Sequence, residues 1–449
     1  MKITLYAPWL VLALFTSTTS ALITVPINTF RNPAHLNPES LTRRYLHKRD
    51  VLSTANDTGA NSTTEPFGSI QLTNIENDVM YTIPFGLGTP AQKFNVIIDT
   101  GSPITWLSSS SCVTEPCLTA TRFHCESSTS CTTLNNTFSA SYVSGQGVSG
   151  HYVAETYTIG SLQFRGAAGI VTQNKAQLPS KVDGIMGLWY YAAGSAVPIL
   201  NVLSNNTLLP RNMIGIWLQS TTPNGRSSGS GVPPGASSAG GEITFGGVDT
   251  TKFQGEITYV NCAGKRPWSV PVGGITVGGA KIDVNGALAA IDTGTTAMLV
   301  PRAISDAING AIPGAVRVTS QGGLWYLPCN GDTVITMTFG TLTFQIPYTH
   351  LALQSARSKT QQGDYCLSAV MFPSGSTVII QEWLIGDVFL KNVYSVFDFG
   401  TNAATGGRLG FAQLGTGGLN NGAAAGVGGG RSRVTVSILV VLSVVYVML

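Results

Sequence analysis

The chain has 449 residues, 43% hydrophobic and only 10% charged, with 52 Gly and 22 Pro. So few charges exclude an intrinsically disordered chain, and so many turn formers favour a β protein over a helical one. The formal charge of +3 is misleading, because residues 50–421 carry 17 bases against 21 acids, a net of −4 with no basic stripe for nucleic acid.

Residues 1–21 open on Lys2 and run through Leu5, Trp9, Leu10, Val11, Leu12, Leu14 and Phe15 to Ser17, Thr18, Thr19, Ser20 and Ala21. A basic start, a short apolar stretch and a small-residue exit predict a secretory signal peptide. Residues 22–49 are polar and basic and end in Lys48-Arg49, which predicts a propeptide released at a dibasic site, with Asp50 as the new N-terminus. Residues 50–79 are read as a flexible lead-in, rich in Ser, Thr and Asn over 52–66. Asn56, Asn61, Asn135 and Asn205 each head an Asn-x-Ser/Thr triplet and are candidate glycan acceptors. Seven Cys in an exported chain point to disulfides.

From Met80 onward, short apolar runs alternate with Gly, Pro, Ser and Thr. Phe94–Ile98, Glu242–Phe245 and Val378–Ile380 have the texture of strands. Ala303, Ile304, Ala307, Ile308 and Ala311 recur at helical spacing after Pro301 and predict a short helix. The Gly-, Ser- and Pro-rich residues 223–241 read as a surface loop.

An internal repeat organises this body. Val96-Ile97-Ile98-Asp99-Thr100-Gly101-Ser102 returns as Ala289-Ala290-Ile291-Asp292-Thr293-Gly294-Thr295. An apolar-apolar-Gly signal follows each copy, Ile185-Met186-Gly187 and Leu384-Ile385-Gly386, at 88 and 94 residues from the respective Asp. Two similar halves, each offering one carboxylate, imply two lobes with a cleft between them. Two carboxylates brought close cannot comfortably both ionise, so they share a proton. The charged one can take a proton from water, and the protonated one can polarise a carbonyl and later protonate a leaving amine. This chemistry calls for no metal and no cofactor.

With these motifs the chain resembles the pepsin-like aspartic proteases over residues 80–413. Trp106 stands seven residues after Asp99, and Tyr142, in Ala140-Ser141-Tyr142-Val143-Ser144-Gly145, matches the family's flap tyrosine. Gly240 to Asp249 and Trp383 to Phe397 match two further family segments. The resemblance implies an all-β, bilobal pepsin-like fold, with two β lobes related by a pseudo-two-fold and a central cleft, divided as an N-terminal lobe over 80–248 and a C-terminal lobe over 249–413. It implies Asp99 and Asp292 as the catalytic pair, supported by Thr100, Gly101, Ser102, Thr293, Gly294 and Thr295, with Tyr142 and Trp106 at the flap. A shared proton is the general behaviour of aspartic protease pairs, not a deduction particular to this chain. Asp183 and Asp387 are read as structural. Two departures stand out: Pro103 follows Ser102, and Val143 with one extra residue follows the flap Tyr. The resemblance pairs Cys112 with Cys117 and Cys329 with Cys366. It leaves Cys125 and Cys131 as a second local bridge among three connectivities for the first four cysteines, and Cys262 unassigned.

The C-terminus closes on small residues around Asn421, a linker over 414–421 and a removable segment over 422–449, whose last 16 residues, Val434 to Leu449, carry no charge. As a helix that tail would reach about 24 Å, short of a hydrocarbon core of about 30 Å. Small residues, a polar spacer and a terminal apolar tail form the signal for a glycosylphosphatidylinositol (GPI) anchor, with Asn421 as the attachment residue and Asn420 and Gly422 as neighbouring alternatives. A retained tail helix is the competing reading. The expected protein is a monomeric aspartic endopeptidase acting on peptides and proteins, exported to the cell surface and held on the outer leaflet or cell wall by the lipid, resembling the fungal surface type. The alternative is a pepsin-like binding module without catalysis.

Overall fold

The computed structural model describes residues 68–415, apart from 143–145, 177, 180, 191–197, 222–236, 320–322, 361–362, 373–381 and 401–406, together with the pair 446–447. The propeptide, the signal sequence, Asn56, Asn61, Asn421, Val143 and Val378–Ile380 lie outside the described residues.

The protein is built almost wholly of strands. In the N-terminal half these are β1 (Ser69–Ile75), β2 (Met80–Leu87), β3 (Gln92–Asp99), β4 (Trp106–Ser108), β5 (Thr132–Ser141), β6 (Gly147–Ile159), β7 (Leu162–Asn174), β8 (Gly184–Gly187), β9 (Met213–Leu218) and β10 (Ser237–Phe245). The C-terminal half contributes β11 (Phe253–Asn261), β12 (Ser269–Pro271), β13 (Leu288–Ile291), β14 (Met298–Leu299), β15 (Val370–Met371), β16 (Trp383–Ile385), β17 (Val393–Asp398) and β18 (Arg408–Leu414). Two four-stranded sheets, from segments between 274 and 346 and between 316 and 368, complete it. Helices are short: α1 (Glu115–Thr119), α2 (Ile199–Asn205), α3 (Arg302–Gly310), α4 (Tyr348–Leu351) and α5 (Asp387–Leu390). The helix expected after Pro301 is α3, which buries Ser305, Ile308 and Asn309 on one face.

The repeat read from the sequence is a repeat of topology. β3 pairs in parallel with β8, and β8 pairs antiparallel with β4. In the second half β13 pairs in parallel with β16, and β16 pairs antiparallel with β14. Each unit therefore drives a strand toward an Asp and threads a second strand past the loop that follows it. β-branched Val96, Ile97 and Ile98 suit a strand covered on both faces, and all three are fully buried. The apolar-apolar-Gly signal also acquires its cause. A side chain on Gly187 would clash with the backbone of Ser102, Pro103 and Ile104, and one on Gly386 with the carbonyl of Thr295. Only glycine lets the second strand pass so close to the Asp loop.

The largest sheet crosses the middle of the molecule in the order β11-β18-β17-β9-β10-β1-β2-β3-β8-β4-β7-β6-β5, with Tyr446–Val447 paired to Ala140–Ser141 at its end. One contiguous apolar core fills both halves. A second cluster, including Ile97, Ile104, Trp106, Phe138, Tyr142, Tyr152 and Ile185, lies beneath the β5–β6 hairpin.

Two expectations need correction. Residues 69–75, read as the end of a flexible lead-in, form β1, hydrogen-bonded to β10 on one side and β2 on the other. The Ser, Thr and Asn content hid the alternation that puts Leu72 and Asn74 inside. Residues 237–241, read as part of a loop, begin β10, where Gly240 and Gly241 sit against the backbones of β1 and β9 with no room for a side chain.

Candidate active site

β3 and β13 deliver Asp99 and Asp292 to the same place, and both are fully buried. Each carboxyl lies near enough to the other to influence its titration. Each is held by the same two donors from its own loop. Ser102 Oγ donates to Asp99 Oδ2 at 2.6 Å and Gly101 N to Asp99 Oδ1 at 2.8 Å. Thr295 Oγ1 donates to Asp292 Oδ2 at 2.7 Å and Gly294 N to Asp292 Oδ1 at 2.8 Å. The loops also approach across the two-fold: a side chain on Gly101 would collide with the Asp292 carboxyl, and one on Gly294 with that of Asp99.

Thr100 and Thr293 lock the loops together reciprocally. Thr100 N donates to Thr293 Oγ1 at 3.1 Å, and Thr293 N to Thr100 Oγ1 at 3.0 Å. Each hydroxyl then donates onward to the opposite strand, Thr100 to Ile291 O at 2.9 Å and Thr293 to Ile98 O at 2.7 Å. Four buried bonds thus fix the separation of the carboxylates, and every hydroxyl is satisfied as donor and acceptor.

Electrostatics breaks the symmetry. Burial pushes Asp99 well above the usual carboxylate range, and the neighbouring Asp292 charge adds to it, against the bonds from Ser102 and Gly101. Burial also raises Asp292, but Thr295, the Gly294 N–H and the positive charge of Arg266 counter it. Both carboxyls are raised, and the two titrate as a pair that shares one proton.

Above the pair, β5 and β6 form a hairpin with Tyr142 at its tip, where Tyr142 N donates to Gln146 O at 2.8 Å. Trp106 Nε1 donates to the Tyr142 hydroxyl at 2.7 Å. Burial and the Asp99 charge push the phenol well above its ordinary range, so it keeps its proton, which remains available as a donor. Trp106 is itself core, 1% exposed, so packing and support of the hairpin coincide.

Asp183 is a structural acceptor for Asn95 N and Thr121 N, both at 2.8 Å. Disulfides join Cys112 to Cys117, Cys125 to Cys131 and Cys329 to Cys366, and Cys262 is free. Asn135 and Asn205 are exposed, Asn135 where a register shift interrupts the pairing of β5 with β6. Among the described residues no cluster of His, Cys, Asp and Glu has the arrangement of a metal site.

Two residues near the pair escaped sequence reasoning. Arg266 exerts its charge on Asp292. Trp268, at φ 64°, accepts Ile291 N through its carbonyl at 3.0 Å and donates from Nε1 to Leu188 O at 3.0 Å, tying the strand into Asp292 to the residue after Gly187. Neither lies in the repeat. The available signal was a cation and an aromatic shortly before a buried strand, which is weak alone.

The sequence profile of the eukaryotic aspartyl protease family matches residues 80–414. The aspartic-type endopeptidase ctsD of Aspergillus fumigatus is 30% identical over 342 residues, covering 75% of this chain and 66% of that protein. Major aspartyl peptidase 1 of Cryptococcus neoformans is 28% identical over 366 residues, covering 77% and 71% respectively. An aspartic protease of Phaffia rhodozyma is 28% identical over 412 residues, covering 88% of this chain and 93% of its own length.

Proposed function

The chain belongs to the eukaryotic aspartyl protease family, and from that premise we propose that it is an endopeptidase hydrolysing internal peptide bonds with a water activated between Asp99 and Asp292. The observation that carries this reading is the symmetric cradle: each carboxylate takes a hydroxyl and a backbone N–H from its own loop, and the loops are cross-bonded through Thr100 and Thr293.

Asp292, ionised, takes a proton from the water as its oxygen adds to the scissile carbonyl carbon. Asp99 gives its proton to the carbonyl oxygen as the C=O π bond opens. The tetrahedral diol collapses when its proton returns to Asp99, the C–N bond breaks, and the proton on Asp292 passes to the leaving amine. The pair ends as it began, with one proton. Tyr142 and the β5–β6 hairpin lie over the reacting peptide and exclude bulk water.

The finer reading adds place. A signal peptide over 1–21, cleavage after Lys48-Arg49 and a lipid on Asn421 would put a monomeric enzyme on the outer surface, glycosylated at exposed Asn135 and Asn205. The spacing of the terminal motifs supports it.

Denatured casein at acidic pH tests the reaction. Wild-type turnover should be blocked by pepstatin and fall as pH rises and the pair loses its remaining proton. Asp99→Asn and Asp292→Asn should each abolish turnover. Near-normal turnover by purified Asp99→Asn would refute the assignment.

A further inference from the structure

Where the turn between β1 and β2 meets the C-terminal half, a second set of buried charges gathers around Asp78. The turn runs left-handed through Glu76, Asn77 and Asp78, at φ 52°, 59° and 68°. Asn74 fixes it, donating from Nδ2 to Asp78 Oδ1 at 2.6 Å and accepting Asp78 N on Oδ1 at 2.8 Å. The Asp78 carboxylate also accepts Thr221 N at 2.8 Å, Thr221 Oγ1 at 3.1 Å, Ser220 Oγ at 2.5 Å and Lys391 Nζ at 3.0 Å. Burial opposes this charge, but Lys391 and the donors hold Asp78 well below the usual carboxylate range, so it is an anion.

His350, in α4 and 5% exposed, completes the set. Its Nδ1 is 2.8 Å from Asn392 Oδ1, and its Nε2 is 3.2 Å from Ser220 Oγ. The neighbours dictate the direction of both bonds. Asn392 donates from Nδ2 to Val388 O at 2.8 Å, which orients its amide so that the oxygen faces the ring. Ser220 has one hydrogen, and a hydroxyl 2.5 Å from an ionised carboxylate oxygen must direct it there. Only Ser220 lone pairs remain for His350. Both partners of the ring are acceptors, whereas a neutral imidazole carries a single N–H.

We infer that His350 is held as the imidazolium in this junction and that its loss of a proton is a pH switch in the fold. The neutral ring must surrender one of its two bonds, releasing α4 either from Asn392, which follows α5, or from Ser220, which follows β9.

The charged and titratable groups facing the ring come from the β1–β2 turn and from α5 and its end. From the β1–β2 turn comes the Asp78 anion, linked through Ser220. From the end of α5 comes Lys391, whose charge is matched by Asp78 at 3.0 Å. Asp387, in α5, is kept protonated, because burial and then the Asp292 charge push it well above the usual range. A small pocket lined by Asn77, Asp78, Thr221, Thr296, His350 and Lys391 leads to the ring, so protons can exchange without unfolding.

The sign follows. The protonated ring makes one more native bond than the neutral ring, so proton uptake and folding are linked. The stabilisation is complete in acid, below the ordinary histidine value of about 6.5, and is lost as pH rises through the titration of the folded ring. Within that window the unfolding equilibrium constant rises by up to about tenfold per pH unit.

The inference does not depend on the peptidase reading, and its test needs no substrate. Urea melts of the full chain between pH 4 and 8 should show wild-type stability falling above about pH 6. The raised carboxyls Asp99 and Asp387 also lower stability as pH rises, so His350→Gln should remove only the added steepening above about pH 6, and His124→Gln, at an exposed histidine, should keep the wild-type curve. In ¹⁵N-histidine-labelled wild type at pH 5, the signal identified as His350 should report two protonated ring nitrogens. A single protonated nitrogen at pH 5, or a wild-type slope in His350→Gln, would overturn the inference. If His350→Gln does not fold, the wild-type spectrum decides alone.

Discussion

Replacing the phenol of Tyr142 by a phenyl ring removes one oxygen and leaves the packing beneath the hairpin in place. The buried Trp106 Nε1 then loses its acceptor at 2.7 Å, at a cost of about 1–3 kcal/mol. Tyr142→Phe should lower stability to denaturant by that amount and, on the proposed endopeptidase reading, in which the phenol would hold the hairpin over the reacting peptide, reduce kcat/KM through kcat more than KM. Unchanged stability and turnover together would remove Tyr142 from the site. The Asn variants of the pair should behave in the opposite way. Asp99 is raised on folding, so its neutral form is the one the fold favours. Wild-type stability is undiminished by it below the unfolded value of about 3.9 and declines as pH climbs toward the folded value. Asp99→Asn removes that decline and should be at least as stable as wild type at pH 7 while inert. At this scale the sequence is legible where a motif occurs twice: Asp99 and Asp292, with their Gly and hydroxyl neighbours, could be read because each copy vouches for the other. Arg266 and His350 could not, since their roles arise from residues distant in the chain and no local pattern encodes a bond from His350 to Ser220, 130 residues away.

Among elements, the bridges differ in what they restrain. Cys112–Cys117 and Cys125–Cys131 close loops of sequence separation 5 and 6, whereas Cys329–Cys366 spans 37. On the chain-entropy account the long bridge stabilises by about 4 kcal/mol and each short one by about 2 kcal/mol. Changing Cys329 and Cys366 together to Ala should therefore lower Tm more than changing Cys112 and Cys117, as scanning calorimetry at one pH would register. An equal loss would show that native strain or residual unfolded structure outweighs loop length. Strands with β-branched runs, such as β3, were readable from the sequence, and so was α3 from its spacing. The misread elements were β1 and the start of β10. Both carry Ser, Thr, Asn or Gly where a loop would, and both become strands because each has a hydrogen-bonding partner on either side. Pairing partners supplied by remote segments are not visible in a local window.

In the whole molecule the central sheet interleaves the two halves. β9, from the first half, lies between β10 and β17, and β17 leads on to β18 and β11. Residues 68–248 made alone would leave one full edge of β9 unpaired, with Ile214 and Ile216 beside it. Such a fragment should aggregate, and supplying 249–415 as a second chain should recover soluble complex, detectable by size-exclusion chromatography. A soluble, monomeric, cooperatively melting 68–248 would show that the interleaving is dispensable. That two halves exist was plain from the repeat. That they share one sheet was not, because β9 and β17 bear no sequence mark of each other.

The same interleaving sets a clock during synthesis. Ile216 accepts its partner Ser395 only after 179 further residues have been made. At about 5–20 residues per second this is roughly 9–36 s in which the edge of β9 waits without its neighbour. A newborn chain must be shielded for that interval, and anything that pauses translation between β10 and β17 lengthens it. The yield of this protein should therefore depend on how fast its second half is made as well as on how stable the finished fold is.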